Sequence, residues 1–132
     1  NRKVVEWNST DVDDGLYALQ LLVIKENFEI DTHTIQISVD NTVPEGKIIY
    51  PIKNQTITRS SQGTITLQAD VFDNVGVETV EWWLDGKRVG INSELPYSYP
   101  IDINVGNHSI YINIIDLAGN NFQTEQLEFT VK

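Results

Sequence analysis

Two stretches of this sequence carry the same pattern roughly one domain apart. Asp14-Gly15-Leu16-Tyr17-Ala18-Leu19-Gln20-Leu21 leads to Ile35-Gln36-Ile37-Ser38-Val39. Further on, Val105-Gly106-Asn107-His108-Ser109-Ile110-Tyr111-Ile112 leads to Leu127-Glu128-Phe129-Thr130-Val131. Gly15 and Gly106 are 91 positions apart and Val39 and Val131 are 92 apart, so the loop between has gained one residue. That period is far longer than a solenoid or propeller repeat. It is close to the size of one β-sandwich domain, about 100 residues. A chain of 132 residues has room for one such unit and part of another. The reading is therefore a tail of one sandwich, residues 1–40, followed by a complete sandwich over residues 41–132.

The hydrophobic pattern is β almost throughout. Ile65, Leu67, Ala69 and Val71 alternate with Thr64, Thr66, Gln68 and Asp70, which gives a strand with one apolar face. Val80, Trp82 and Leu84 form a second inward set, closed by the turn Asp85-Gly86. Ile110, Ile112 and Ile114 form a third, and Leu127, Phe129 and Val131 a fourth. Lys47 to Tyr50 reads as a first strand, and Tyr97 to Ile103 as one near an edge, where Pro96 and Pro100 discourage strand addition. No stretch of ten residues has a helical period. Short strands separated by turns predict an all-β, immunoglobulin-like antiparallel β-sandwich. Ahead of Asp40 the pattern supplies only three strands: Val4 to Trp7, Leu16 to Ile24 and His33 to Val39. Asp40-Asn41-Thr42-Val43-Pro44 reads as the linker. Three strands cannot bury the face formed by Tyr17, Leu19, Leu21, Val23, Ile35, Ile37 and Val39. Either an upstream half or a second molecule must cover it, and the expectation for the chain alone is a homodimer or strand exchange.

Charge and composition narrow the partners. Nineteen acidic residues against nine basic ones give a net charge of −10, which repels nucleic acid and anionic lipid. The 40% apolar and 21% charged shares suit a folded domain rather than a disordered one. No apolar run is long enough to span a bilayer. The absence of Met, and so of a start methionine, fits an internal segment. The absence of Cys removes disulfides, thiolate metal sites and cysteine nucleophiles together.

The candidate chemistry is sparse. Asp70, Asp73 and Asn74 lie near one strand end, and Asp116 and Asn120 near another. In a sandwich those loops share a pole, where hard oxygens could meet Ca2+. The spacing lacks a dense Asp-x-Asp-x-Asp loop, so side-chain capping of turns accounts for the same residues. Trp83 has the outward parity of its strand, and Tyr111 and Ile115 point outward from the strand expected beside it. An exposed Trp83–Tyr111 platform could stack on sugar rings, as in peptidoglycan; cross-strand pairing or contact with a neighbouring domain explains it equally well. His108 stands where Tyr17 stands in the first copy, the position of a tyrosine corner. No nucleophile–base pair, cofactor loop or third metal-binding partner for His33 and His108 is suggested. The expectation is no catalytic residue and no cofactor. Asn8-Ser9-Thr10, Asn54-Gln55-Thr56 and Asn107-His108-Ser109 match glycosylation acceptors by pattern alone.

Trp7-Asn8-Ser9-Thr10, Asp14-Gly15-Leu16-Tyr17-Ala18-Leu19 and Val39-Asp40-Asn41-Thr42-Val43-Pro44 also carry a family resemblance. So do Asp73-Asn74-Val75-Gly76-Val77, Val80-Glu81-Trp82-Trp83-Leu84-Asp85-Gly86 and Asp116-Leu117-Ala118-Gly119-Asn120. Together they resemble tandem bacterial immunoglobulin-like domains, as found at the C-terminus of some class A penicillin-binding proteins; similar modules follow secreted proteases and glycoside hydrolases. The resemblance implies a non-catalytic, extracytoplasmic module of the cell envelope that spaces or docks catalytic domains. Its partners would be neighbouring domains of the same chain, with peptidoglycan as a ligand for a binding version. The synthase's own machinery is missing: no Ser has Lys three residues on, and no Lys-Thr-Gly occurs.

Overall fold

The computed structural model describes residues 3, 5–58 and 63–132. The chain divides into two compact units, Asn1–Asn41 and Thr42–Lys132.

The first unit is built on one hairpin. After a short 3-10 turn at Ser9–Asp11, β1 (Gly15–Ile24) pairs antiparallel with β2 (Ile30–Val39) over their whole lengths, from Gly15 opposite Val39 to Ile24 opposite Ile30. The loop ahead of β1 is held locally. Asn41 donates through its amide to the Ser9 and Val12 carbonyls, and its backbone N–H donates to Asp14 Oδ1 at 2.6 Å. Residues 5–7, expected as a strand, pair with nothing in a ladder, and Val4 lies outside the described residues. Trp7 instead leans on Tyr17, with ring centroids 6.1 Å apart.

The second unit is a two-layer sandwich. One sheet has the order β3 (Glu45–Tyr50), β5 (Thr64–Phe72), β8 (Ser98–Asp102). The other has the order β4 (Thr56–Ile57), β11 (Leu127–Val131), β9 (Gly106–Asp116), β6 (Val77–Leu84), β7 (Lys87–Asn92), with β10 (Asn121–Gln123) also paired to β9. The period-2 pattern explains the layering. Residues 110, 112 and 114 of β9 and residues 80, 82 and 84 of β6 alternate into the core. Leu67, Val80, Trp82, Ile110, Ile112, Ile114 and Val131 have no solvent exposure. Trp82 keeps its indole N–H satisfied at 2.7 Å by Asn92 Oδ1, the condition for burying so large a ring.

Turn chemistry fixes the connections. Asp85 and Gly86 both have positive φ, 49° and 76°, which suits the two-residue hairpin joining β6 to β7. The two sheets approach closely at Gly90, where an added Cβ would stand 2.4 Å from the Tyr99 ring. Strands β4, β7 and β10 go beyond the strands the sequence pattern picked out. The edge strand expected over Tyr97 to Ile103 runs as β8, with Pro100 opposite Thr66. Among the described residues no helix is long and apolar enough to cross a membrane.

Candidate functional site

The outward side of the β7–β6–β9 surface carries a cluster of polar and aromatic groups. Register places Trp83 opposite Tyr111 and Glu81 opposite Asn113. The two rings lie nearly parallel, 10° apart with centroids at 5.7 Å. They face each other, and both are only partly exposed. Of the readings open for these residues, the rings make the cross-strand pairing, a stack in which each ring covers part of its partner.

Beside the stack Glu81 gathers three donors. Arg88 reaches Oε1 at 2.5 Å, Trp83 Nε1 reaches Oε2 at 3.2 Å, and Asn113 Nδ2 reaches Oε2 at 3.3 Å. Partial burial pushes the Glu81 carboxyl up. The hydrogen bonds from Arg88, Trp83 and Asn113, with the Arg88 charge, outweigh it and hold the group below its ordinary value. Sequence reading passed over Glu81, Arg88 and Asn113. The one signal was that Glu81 and Asn113 share the outward parity of Trp83 and Tyr111.

At one pole, β5 and β9 end in loops that touch: the Leu117 N–H donates to the Gly76 carbonyl at 3.0 Å. Carboxylate oxygens of Asp73 and Asp116 come within 4.8 Å of each other. Part of their acceptor capacity is already used, while Asp73 Oδ1 is buried without a hydrogen-bond partner among the described residues. Asp73 Oδ2 takes the Val75 and Gly76 N–H groups at 2.9 and 2.6 Å. Asp116, fully buried, takes the Ala118 and Asn120 N–H groups on Oδ1 and the Asn120 amide on Oδ2, each at 2.8 Å. The Asn120 amide also donates to the Thr42 carbonyl at 3.1 Å. Asp70 does not join them: it projects from β5 toward Lys47 at 3.7 Å. Of the four calcium candidates, then, Asp73, Asp116 and Asn120 converge, engaged in turn closure, and Asp70 stands apart.

At the opposite end His108 closes a corner. Nε2 lies 2.9 Å from the Asn104 carbonyl and Nδ1 lies 2.7 Å from Asp85 Oδ2, while Asp85 Oδ1 accepts the Ser109 N–H at 2.8 Å. A polar recess of about 500 Å³ opens beside it, lined by Asn54, Asp85, His108, Glu128 and Thr130 among others. Nε2 is the atom a hydrolytic dyad would turn toward a nucleophile, and here it faces a backbone carbonyl. A second, shallower cleft of about 420 Å³ runs along β3 and β5 between Lys47, Asp70, Phe72 and Phe122. Its Lys47–Asp70 pair is exposed on both sides.

Comparison with known proteins identifies the fold and the family. The family model described as a bacterial Ig domain matches residues 44–112, more than half the chain. The chain belongs to the bacterial Ig domain family. Domains of this kind are generally non-catalytic. The uncharacterized protein YvnB of Bacillus subtilis (strain 168) is 31% identical over 127 residues. That match takes in 95% of this chain but only 9% of the relative. Among solved structures, the fibronectin(III)-like modules of Clostridium thermocellum CbhA match with a TM-score of 0.62 at 22% identity, covering 92% of this chain and 64% of theirs. The Bacteroides ovatus mixed-linkage glucan utilization locus protein SGBP-B, solved with a mixed-linkage heptasaccharide, matches with a TM-score of 0.50 at 15% identity. That match covers 70% of this chain and 24% of SGBP-B. At these identities the structural likenesses establish the fold.

Proposed function

We propose that this bacterial Ig module is a non-catalytic spacer in a large extracytoplasmic protein, setting the distance and orientation of the domains around it. The observation that carries the reading is the duplicated hairpin. Gly15 pairs with Val39, Tyr17 with Ile37 and Leu19 with Ile35; Gly106 pairs with Val131, His108 with Phe129 and Ile110 with Leu127. The chain repeats a scaffold rather than a set of reactive groups. A relative of which this chain spans about a tenth accords with a module in a long array. The Val39-to-Pro44 junction keeps a class A penicillin-binding protein as one candidate parent, with the cell envelope as its place of work.

A second reading, a carbohydrate-binding module, is favoured by the Trp83–Tyr111 pair with Glu81, Arg88 and Asn113 beside it, and by the fold shared with a glucan-bound protein. Planar polar side chains next to an aromatic surface are the usual means of gripping a sugar. Co-sedimentation with peptidoglycan sacculi, together with calorimetric titration of a mixed-linkage glucan, separates the readings. The spacer predicts no binding above background to either. Saturable binding that disappears in Trp83→Ala would overturn it and install the second reading.

A further inference from the structure

We propose that the exposed apolar face of β1–β2 is the closing half of another sandwich of this same fold. Its occupant is an amphipathic sheet like β3–β5–β8, supplied by the residues that precede Asn1 in the parent protein.

Three observations point to that occupant. The first is register: the pairings of β1 with β2 reproduce those of β9 with β11 residue for residue over Gly15–Leu19 and Gly106–Ile110. The second is the corner. The Tyr17 hydroxyl donates to the carbonyl four residues back, Asp13, at 2.7 Å, and His108 Nε2 lies 2.9 Å from the carbonyl four residues back, Asn104. The glycine two residues before each ring has a positive φ, 158° at Gly15 and 148° at Gly106. Different side chains thus perform the same closure at the same place. The third is the face itself. Leu21, Val23 and Ile35 of the hairpin correspond in position to Ile112, Ile114 and Leu127.

Those positions differ sharply in exposure. Ile112 and Ile114 are wholly buried, sharing one core with Ile65 and Leu67 of the facing sheet. Leu21, Val23 and Ile35 are 49%, 47% and 48% exposed. The second unit therefore shows what covers this face when the fold is whole: strands that come before the hairpin in sequence, within Thr42–Val105. A two-stranded sheet with an open apolar side is marginal in water. The fibronectin(III)-like modules also match more of this chain than Thr42–Lys132 alone can provide, leaving about a third of their own chain unmatched.

The inference rests on the spacer reading above, but the two fail separately, because glycan binding decides between spacer and binding module and hydrogen exchange decides this inference. The test extends the chain at its N-terminus with as many of the parent's own preceding residues as run from Thr42 to Val105. Amide exchange is then followed in the 132-residue and extended proteins. The expected result is a rise in protection of the β1–β2 amides by roughly 100-fold or more, toward that of β9. In the extended protein, Leu21→Asp should abolish the gain and leave β9 protection unchanged. Unchanged β1–β2 exchange in the extended protein would overturn the proposal. So would protection that rises only with protein concentration and is lost in Leu21→Asp, since the occupant would then be a second copy.

Discussion

Between Gly15 and Val39 the chain makes a sheet in which Leu21 is half open to solvent. Between Gly106 and Val131 the same pairing leaves Ile112 with no exposure at all. Register, the corner bond and the glycine before the ring are equal in the two hairpins, so these features are local and need no facing sheet. Burial is the non-local part. It comes from β3 and β5, which bring Ile65, Leu67 and the close-approach site at Gly46 over the second hairpin. The difference teaches that strand pairing and core formation are separable in this fold: one is written within about 25 residues, the other needs strands far away in sequence.

The sharpest way to break the comparison is to truncate equivalent side chains. Ile112→Ala should cost about 2–5 kcal/mol in urea denaturation followed by tryptophan fluorescence. Leu21→Ala in the same chain should stay within about 0.5 kcal/mol. Equal costs would mean the first hairpin already has a packed face. Next, Gly90→Ala forces a methyl against the Tyr99 ring and should cost about 1–3 kcal/mol through overpacking, read as a lowered Tm. An unchanged Tm would show that the two sheets are free to separate there.

The corners should respond alike and more mildly. Tyr17→Phe removes one hydroxyl hydrogen bond, worth about 0.5–1.5 kcal/mol in a folded environment. It should register as faster exchange of the amides beside Gly15 alone. His108→Phe should do the same beside Gly106 and also strip Asp85 Oδ2 of its ring partner. The smallest effect is a pH dependence of the second unit at Glu81 on β6, whose partner Asn113 on β9 is replaced by Leu22 at the matching position of β1. Glu81 is held below its ordinary value in the folded state. Its contribution is therefore present above the unfolded-state value and lost as pH falls through the lower, folded one. Denaturation midpoints taken from neutral pH downward should decline less in Glu81→Gln than in wild type.

The strands that build the core were legible because they obey a strict alternation. Ile65 and Leu67, Val80 and Trp82, and Ile110 through Ile114 are spaced by two and bounded by turn residues. The corner at His108 could be placed from its position relative to Gly106. What escaped lacks a local signal. Strand β7, Lys87-Arg88-Val89-Gly90-Ile91-Asn92, lies at an edge and carries two charges and a glycine, and its pairing to β6 shifts register near Trp83. Strand β4 is two residues long and owes its place to β11. Trp7 sits in an apolar-looking stretch but is fixed by a ring contact rather than a ladder. The Glu81 cluster joins positions 81, 83, 88 and 113, which only the β7–β6–β9 order brings together. Asp70 and Asp73 look alike in sequence, yet one lies on a strand facing Lys47 and the other turns back to cap its own loop.

The pairing of β4 with β11 has a mechanical meaning. These strands run parallel, with Thr56 and Ile57 beside Thr130 and Val131. Backbone bonds from Asn54 to Glu128, from Thr130 to Gln55 and from Lys132 to Ile57 stitch the same seam. Tension applied to the two ends of this unit, once transmitted past β3, would drag β4 and β11 in opposite directions along their shared axis. The stitches would then be loaded together in shear, instead of opening one after another like a zipper. A link in a stretched array that is closed by such a seam yields in one event rather than by gradual fraying.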